Sequence, residues 1–378
     1  MTGVKIIIAT LLVFLGAAAP ASSGSAPQEA ACKAEGGLSF VCGPRRPEDI
    51  AVLPGERWLI ASGMAKDGGL HLIDVRNKRW RRWTAAFSGT PDPRFPDCRQ
   101  PPATGQFIAH GLALVPGRAG RARLYVTGHG EREAVEIFDI EAKGTEPALT
   151  WRGCLRASKD VEFNSVAAAR DGTILATALH LHGKSLADAF DGKATGAVFE
   201  WRPGYPAFRE IAGTSLAANN GIAFSEDGKT VYVAASAARQ VVAFRRGKNW
   251  RKLWAIDVGN LLPDNLRWGP DGKLYTAGMV DDEPGCGGPV RTKNGAVDLM
   301  GCVRGFAVAA ISPRTRTVQA VLASPPLAGY AGAATAVPAG GYIWMSSFFA
   351  DRLAYRRWPI VPAGSRSPRQ AQESGNNF

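Results

Sequence analysis

One unit recurs six times along the chain: an apolar strand, a tight turn carrying Gly, and a second apolar strand. It occupies residues 50–63, 112–128, 166–178, 222–235, 266–278 and 336–346, with turn glycines at Gly55, Gly117, Gly172, Gly228, Gly272 and Gly340. Glycine supplies the positive φ that such hairpins need. A further strand candidate follows each unit, at 71–75, 135–140, 197–202, 241–245, 305–311 and 353–358. The spacing leaves room for a four-stranded antiparallel sheet per repeat. One such sheet cannot bury both faces alone, so the sheets must stack radially, and six of them close a ring. The expected fold is all-β: a six-bladed β-propeller with a central metal site. A β-sandwich would not account for six similar units.

Residues just ahead of each inner strand are equivalent points around such a ring. They read Glu48-Asp49, His110-Gly111, Asn164-Ser165, Asn220-Gly221, Asp264-Asn265 and Ala334-Thr335. Singly, each is an ordinary loop pair. In register around a closed ring, five of the six bring carboxylates, amides and an imidazole together on the axis, where unpaired charge is costly. A bound cation resolves that cost. Oxygen donors without cysteine select a hard ion, and calcium takes six to eight of them, whereas zinc would want more His or Cys. The alternative is a metal-free polar plug.

The ends of the chain carry a different signal. Lys5 precedes an uncharged run over residues 6–19 and the small-residue site Ala19-Pro20-Ala21, the pattern of a secretory signal peptide over residues 1–21. The run is short for a membrane span, which needs about 20 residues, although an uncleaved anchor is the competing reading. The expected domains are an N-terminal segment over 22–44, the propeller over 45–361 and a disordered tail over 362–378, with a secreted or periplasmic location. The formal charge is +12, but basic residues are dispersed. The one cluster, at 78–83, alternates like a strand with a solvated face, which argues against a nucleic-acid partner. Six cysteines without a Cys-x-x-Cys motif, behind a signal peptide, suggest up to three disulfides. Cys32–Cys42 and Cys286–Cys302 are the plausible local pairs and Cys98–Cys154 is the remainder, among 15 possible pairings. Residues 279–304 read as a long surface loop of the fifth repeat. Nothing in the sequence selects an oligomeric state.

The runs Pro47-Glu48-Asp49-Ile50, His110-Gly111-Leu112, Asn220-Gly221-Ile222 and Pro263-Asp264-Asn265-Leu266 resemble the paraoxonase/arylesterase family. They also fit the wider group of senescence-marker, gluconolactonase and strictosidine-synthase-like propellers, in order over residues 45–360. That resemblance implies that Glu48, Asn164, Asn220, Asp264 and Asn265 are ligands of a catalytic calcium, and that His110 and His129 form a histidine dyad. It also matches Asp49 and the backbone carbonyl of Leu112 to ligands of a second, structural calcium. Ser165 departs from the pattern, standing where the paraoxonases supply that second metal with an aspartate. The ring-closing C-terminal cysteine is absent, and the insertion at 279–304 is unlike the family.

The implied activity is calcium-dependent hydrolysis of a small-molecule lactone or aryl ester. Calcium would polarise the carbonyl and His110 would activate water. Two alternatives remain open: a sugar-lactone hydrolase using the same metal, and a non-catalytic, calcium-braced binding propeller. For His129 a plain rim histidine is the bland reading. His180 and His182 could form a surface metal pair, but a solvated loop is preferred because no third ligand is in view. There is no Gly-x-Ser-x-Gly elbow, no His-Glu-x-x-His and no dinucleotide fingerprint.

Overall fold

Six interblade cores hold the molecule together, and each arises from strands that are apolar on both faces. The structure, a computed structural model, describes residues 32–358 apart from 88, 104, 143–144, 291–296 and 298. The expected signal peptide and C-terminal tail lie outside the described residues.

After strand β1 (Ser39–Cys42), the first blade comprises β2 (Ile50–Val52), β3 (Trp58–Gly63), β4 (Gly69–Asp74) and β5 (Arg79–Trp83). The second has β6 (Phe107–Pro116), β7 (Arg121–Gly130), β8 (Ala134–Glu141) and β9 (Ala148–Arg156). The third has β10 (Val166–Ala168), β11 (Ile174–Ala178), β12 (Ala197–Trp201) and β13 (Arg209–Glu210), with the short helix α1 (Leu186–Phe190) between β11 and β12. The fourth has β14 (Asn219–Phe224), β15 (Thr230–Ala235), β16 (Gln240–Arg245) and β17 (Arg251–Asp257). The fifth has β18 (Leu266–Trp268), β19 (Leu274–Met279), β20 (Phe306–Ser312) and β21 (Thr317–Ser324). In the sixth, β22 (Ala333–Ala339), β23 (Tyr342–Ser347) and β24 (Arg352–Arg357) are completed by β1, which pairs Ser39 with Tyr355 and Cys42 with Arg352. The segment ahead of Glu48 thus closes the ring. All pairings within the blades are antiparallel.

Burial explains the composition of each strand. Every residue of β11 and β19 is buried, because the middle strands pack against a neighbouring blade on both sides. Outer strands face solvent on one side: the basic cluster expected to form a solvated strand is β5, whose only fully buried residue is Trp83. One apolar cluster fills each gap between blades. Ile60, Leu72, Leu124 and Trp151 join the first and second blades, and Ile50, Ile73, Trp344 and Leu353 join the sixth to the first.

The three cysteine pairs are disulfides, Cys32–Cys42, Cys98–Cys154 and Cys286–Cys302. The last staples the loop between β19 and β20. That loop is further tied by Arg304, which donates to the carbonyl of Gly288 at 2.9 Å, and by the Arg239–Asp281 ion pair at 3.0 Å. Among the described residues, no helix is long and apolar enough to cross a membrane.

A candidate metal and catalytic centre on the propeller axis

The polar pairs identified at the head of each repeat meet on the axis, and the backbone shows how. In the second, fourth and sixth blades the inner strand starts early and then bulges, between Ala109 and Leu112, Asn219 and Ile222, and Ala333 and Ala336. The bulged residues are His110-Gly111, Asn220-Gly221 and Ala334-Thr335. A bulge re-aims a side chain that regular pleating would send into the core. In the other three blades the inner strand begins only after the pair, at Ile50, Val166 and Leu266.

An unbroken circuit of hydrogen bonds joins these heads. The N–H of Leu112 donates to Asp49 Oδ2 at 2.7 Å, linking blades one and two. The N–H of Gly111 donates to the Asn164 carbonyl at 3.2 Å, and Thr177 Oγ1 to the Asn220 carbonyl at 2.6 Å. The N–H of Gly221 donates to the Asp264 carbonyl at 3.1 Å, and that of Asn265 to the Ala334 carbonyl at 3.0 Å. Thr335 Oγ1 returns to Asp49 Oδ1 at 2.8 Å. Glycine is required in two of these links: a Cβ on Gly221 would stand 2.3 Å from the Asp264 carbonyl oxygen, and one on Gly111 would stand 2.7 Å from that of Asn164.

Inside the circuit, four oxygen atoms have no hydrogen-bond donor among the described residues: Glu48 Oε2, Asn164 Oδ1, Asn220 Oδ1 and Asp264 Oδ1. They come from four different blades and from four of the five residues expected to bind the catalytic metal. Burial pushes the Glu48 carboxyl well above its ordinary range, and the charges of Asp264 and Asp49 push it further. Asp264 is raised by burial and by Asp49, against a lowering hydrogen bond from Asn220. Buried oxygens of this kind, lacking donors and crowding like charges, fit a hard divalent cation. Asn265 is the fifth expected ligand. Its Nδ2 donates to Glu48 Oε1 at 2.5 Å and its Oδ1 accepts from Ser165 Oγ at 3.2 Å. A half-turn of the amide exchanges the two atoms, and the Ser165 hydroxyl serves either as donor or as acceptor.

His110 stands at the edge of this cluster, with Nε2 3.4 Å from Asn164 Nδ2 and 3.7 Å from Glu48 Oε2. Its Nδ1 lies 3.0 Å from Nε2 of His129, so the two expected dyad histidines are in hydrogen-bond contact. Burial and the adjacent His129 hold the His110 imidazole well below its ordinary range, so it is neutral at pH 7. His129 Nδ1 lies 2.6 Å from Glu133 Oε2. Glu133 was not singled out from the sequence. The only signal there is an acid four residues after His129, across the β7–β8 turn.

Asp49 and Leu112, matched to a second metal by resemblance, have different company. Arg267 donates from Nη2 to Asp49 Oδ2 in a very short contact and to the Leu112 carbonyl at 2.7 Å. Its Nε donates to the Ile50 carbonyl at 3.0 Å. A register signal for Arg267 exists in the sequence: the other inner strands carry Ala51, Ala113, Ala167, Ala223 and Val337 at its position.

The axial cluster opens past His110 and Asn164 into a small space also lined by Glu162, Phe163, Leu179 and His180. Beyond it lies an open cavity of about 640 Å³, lined mainly by polar and charged residues such as Glu131, Arg156, Lys159, Glu162, His180 and His182. His180 and His182 therefore sit on the rim of the cavity, in the loop between β11 and α1.

A six-bladed propeller with an oxygen-lined axial cluster and an adjoining histidine pair defines a recognisable class. The chain belongs to the SMP-30/gluconolactonase/LRE-like family, whose model matches residues 61–286. Human serum paraoxonase/lactonase 3 is 26% identical over 241 residues, covering 59% of this chain and 63% of that relative. The match thus spans less than two thirds of the relative's length. Among solved structures, a gluconolactonase of Xanthomonas campestris superposes with a TM-score of 0.52 at 16% identity, covering 84% of this chain and 88% of the other. A luciferin-regenerating enzyme superposes with a TM-score of 0.50 at 13% identity, covering 85% and 95%. These likenesses carry the fold.

Proposed function

We propose that the protein is a calcium-dependent hydrolase of lactones or related carboxylic esters. Membership of a gluconolactonase-like family supports lactone hydrolysis at the coarse level. The observation that carries the finer reading is the set of four donorless oxygens on Glu48, Asn164, Asn220 and Asp264, beside a neutral His110. These residues, with Asn265, would hold the ion. When bound, calcium supplies positive charge that stabilises developing negative charge on a carbonyl oxygen.

The protein's own groups order the protons. Asn164 Nδ2 donates to His110 Nε2, which is therefore the unprotonated nitrogen. His110 Nδ1–H then donates to His129 Nε2, and His129 Nδ1–H to the Glu133 carboxylate. The lone pair of His110 Nε2 thus faces the axial cluster, where the Asn164 amide holds it until a water takes that place. There Nε2 accepts a proton from water as the water oxygen bonds to the carbonyl carbon. On collapse, the carbon–oxygen bond to the leaving alkoxide breaks and Nε2 returns the proton to it. His129 and Glu133 hold the tautomer and orientation of His110 throughout.

The polar lining of the 640 Å³ cavity favours a second, narrower reading, in which the substrate is a hydroxylated sugar lactone rather than a lipophilic aryl ester. Three disulfides fit an oxidising compartment, which supports secretion to the periplasm or the medium. Purified protein assayed on short-chain, acylated-homoserine, aryl and sugar lactones and on phenyl acetate tests both readings. Turnover should vanish with EDTA and return with calcium. No turnover on any of them, with calcium still raising the melting temperature, would point instead to a calcium-braced binding propeller.

A further inference from the structure

Asp49 and Glu48 are adjacent and both fully buried, yet their oxygens fare differently. Glu48 keeps a donorless Oε2, whereas neither oxygen of Asp49 lacks a donor. Asp49 Oδ1 accepts from the Ile50 N–H at 2.7 Å and from Thr335 Oγ1 at 2.8 Å. Asp49 Oδ2 accepts from the Leu112 N–H and from Arg267. Three further donors of the Arg267 guanidinium go to main-chain oxygens: Leu112 and Ile50, as described, and Leu266 at 2.7 Å from Nη1. Three blades, the fifth, first and second, are gathered on one cation.

The charge count explains why an arginine fits here. A calcium at this position would have one carboxylate, Asp49, since the third residue of the set is the neutral Ser165, whose hydroxyl is engaged with Asn265. Calcium affinity falls as ligand charge is removed. A guanidinium carries a single permanent charge that one aspartate balances, and its planar fork has only donors, which suits a ring of carboxylate and carbonyl oxygens.

We propose that Arg267 is a tethered cation in the place of a second metal, so that the Asp49–Leu112 position takes no calcium. The inference rests on the reading of the Glu48 cluster as a calcium site only for the expected total. EDTA-treated, dialysed protein titrated with calcium, with bound metal counted per chain, is expected to take up one ion. The double variant Ser165→Asp/Arg267→Ala is expected to take up one more than the wild type, and to gain a second calcium-dependent rise in melting temperature. Two ions in the wild type would overturn the proposal, as would a folded double variant with no added ion. A wild-type count of zero would overturn the Glu48 reading while supporting the arginine, because no calcium displaces it. The wild-type count holds whether or not the double variant folds.

Discussion

Glu133 Oε2 lies 2.6 Å from Nδ1 of His129, whose Nε2 lies 3.0 Å from Nδ1 of His110, and in the proposed mechanism this contact helps fix which nitrogen of His110 is basic. Replacing Glu133 by Gln keeps the shape but removes the charge that favours His129 Nδ1–H. A hydrogen bond to a charged group contributes about 1.5–3 kcal/mol, so kcat is expected to fall on the order of tenfold to a hundredfold. Calcium affinity should not change. Steady-state kinetics beside calorimetric calcium titration checks both halves; unchanged kcat would remove Glu133 from the proton chain.

Asn220→Ala and Asp264→Ala each delete one donorless oxygen of the axial cluster. Both are expected to weaken calcium binding by at least the roughly tenfold to hundredfold that follows loss of an outer-shell partner, and to abolish hydrolysis together with it. Full activity in either variant, at calcium concentrations that saturate the wild type, would refute the calcium mechanism.

Gly221→Ala tests the circuit around the axis. The new methyl would meet the Asp264 carbonyl oxygen at 2.3 Å, a backbone atom that yields only if the fifth blade moves. Overpacking of this kind costs about 1–3 kcal/mol. Denaturant unfolding should show that loss, and calcium titration a weaker site because Asp264 shifts with its carbonyl. Wild-type stability would show that the two blades have slack between them.

His71 offers a test by pH, away from the axis. Burial, and secondly the charge of Arg82 opposite it on β5, lower its pKa from 6.5 to about 4. Its Nε2 accepts from the Arg45 N–H at 3.3 Å, its ring packs edge-on against Trp80, and Asp351 is the nearby charge that pulls the other way. Between pH 6.5 and 4 the unfolded chain takes up a proton that the folded chain refuses. Stability therefore falls as pH falls through that window, by on the order of 3 kcal/mol for this residue. In His71→Gln that share of the acid sensitivity should vanish. The comparison is the difference between wild type and variant in unfolding free energy at pH 7 and pH 4.5.

Much of this architecture was legible because it repeats. Six turn glycines and the polar pairs ahead of Ile50, Leu112, Val166, Ile222 and Leu266 sit at one register, so blade number and axial cluster follow from periodicity. What periodicity conveys poorly is contact between blades. Thr177 looks like an ordinary strand residue, and only the closed ring shows it bonded to the Asn220 carbonyl, as it shows Thr335 bonded to that of Glu48. Glu133 lies outside the repeated unit, and its role depends on a hairpin that returns it to His129. Arg267 was visible as a lone charge among small residues, but its four acceptors come from three blades. The Cys98–Cys154 pair followed only as the remainder of two local pairs.

The pairing of β1 with β24 has a consequence for the order of events during synthesis. Phe40 and Val41 leave the ribosome long before Ala354 and Leu353, their partners. Until those residues emerge, β1 has no strand to pair with, and its edges stay open to another chain. The first of the described strands is the last to find its place, and nascent chains held up before the final blade should be the ones that aggregate.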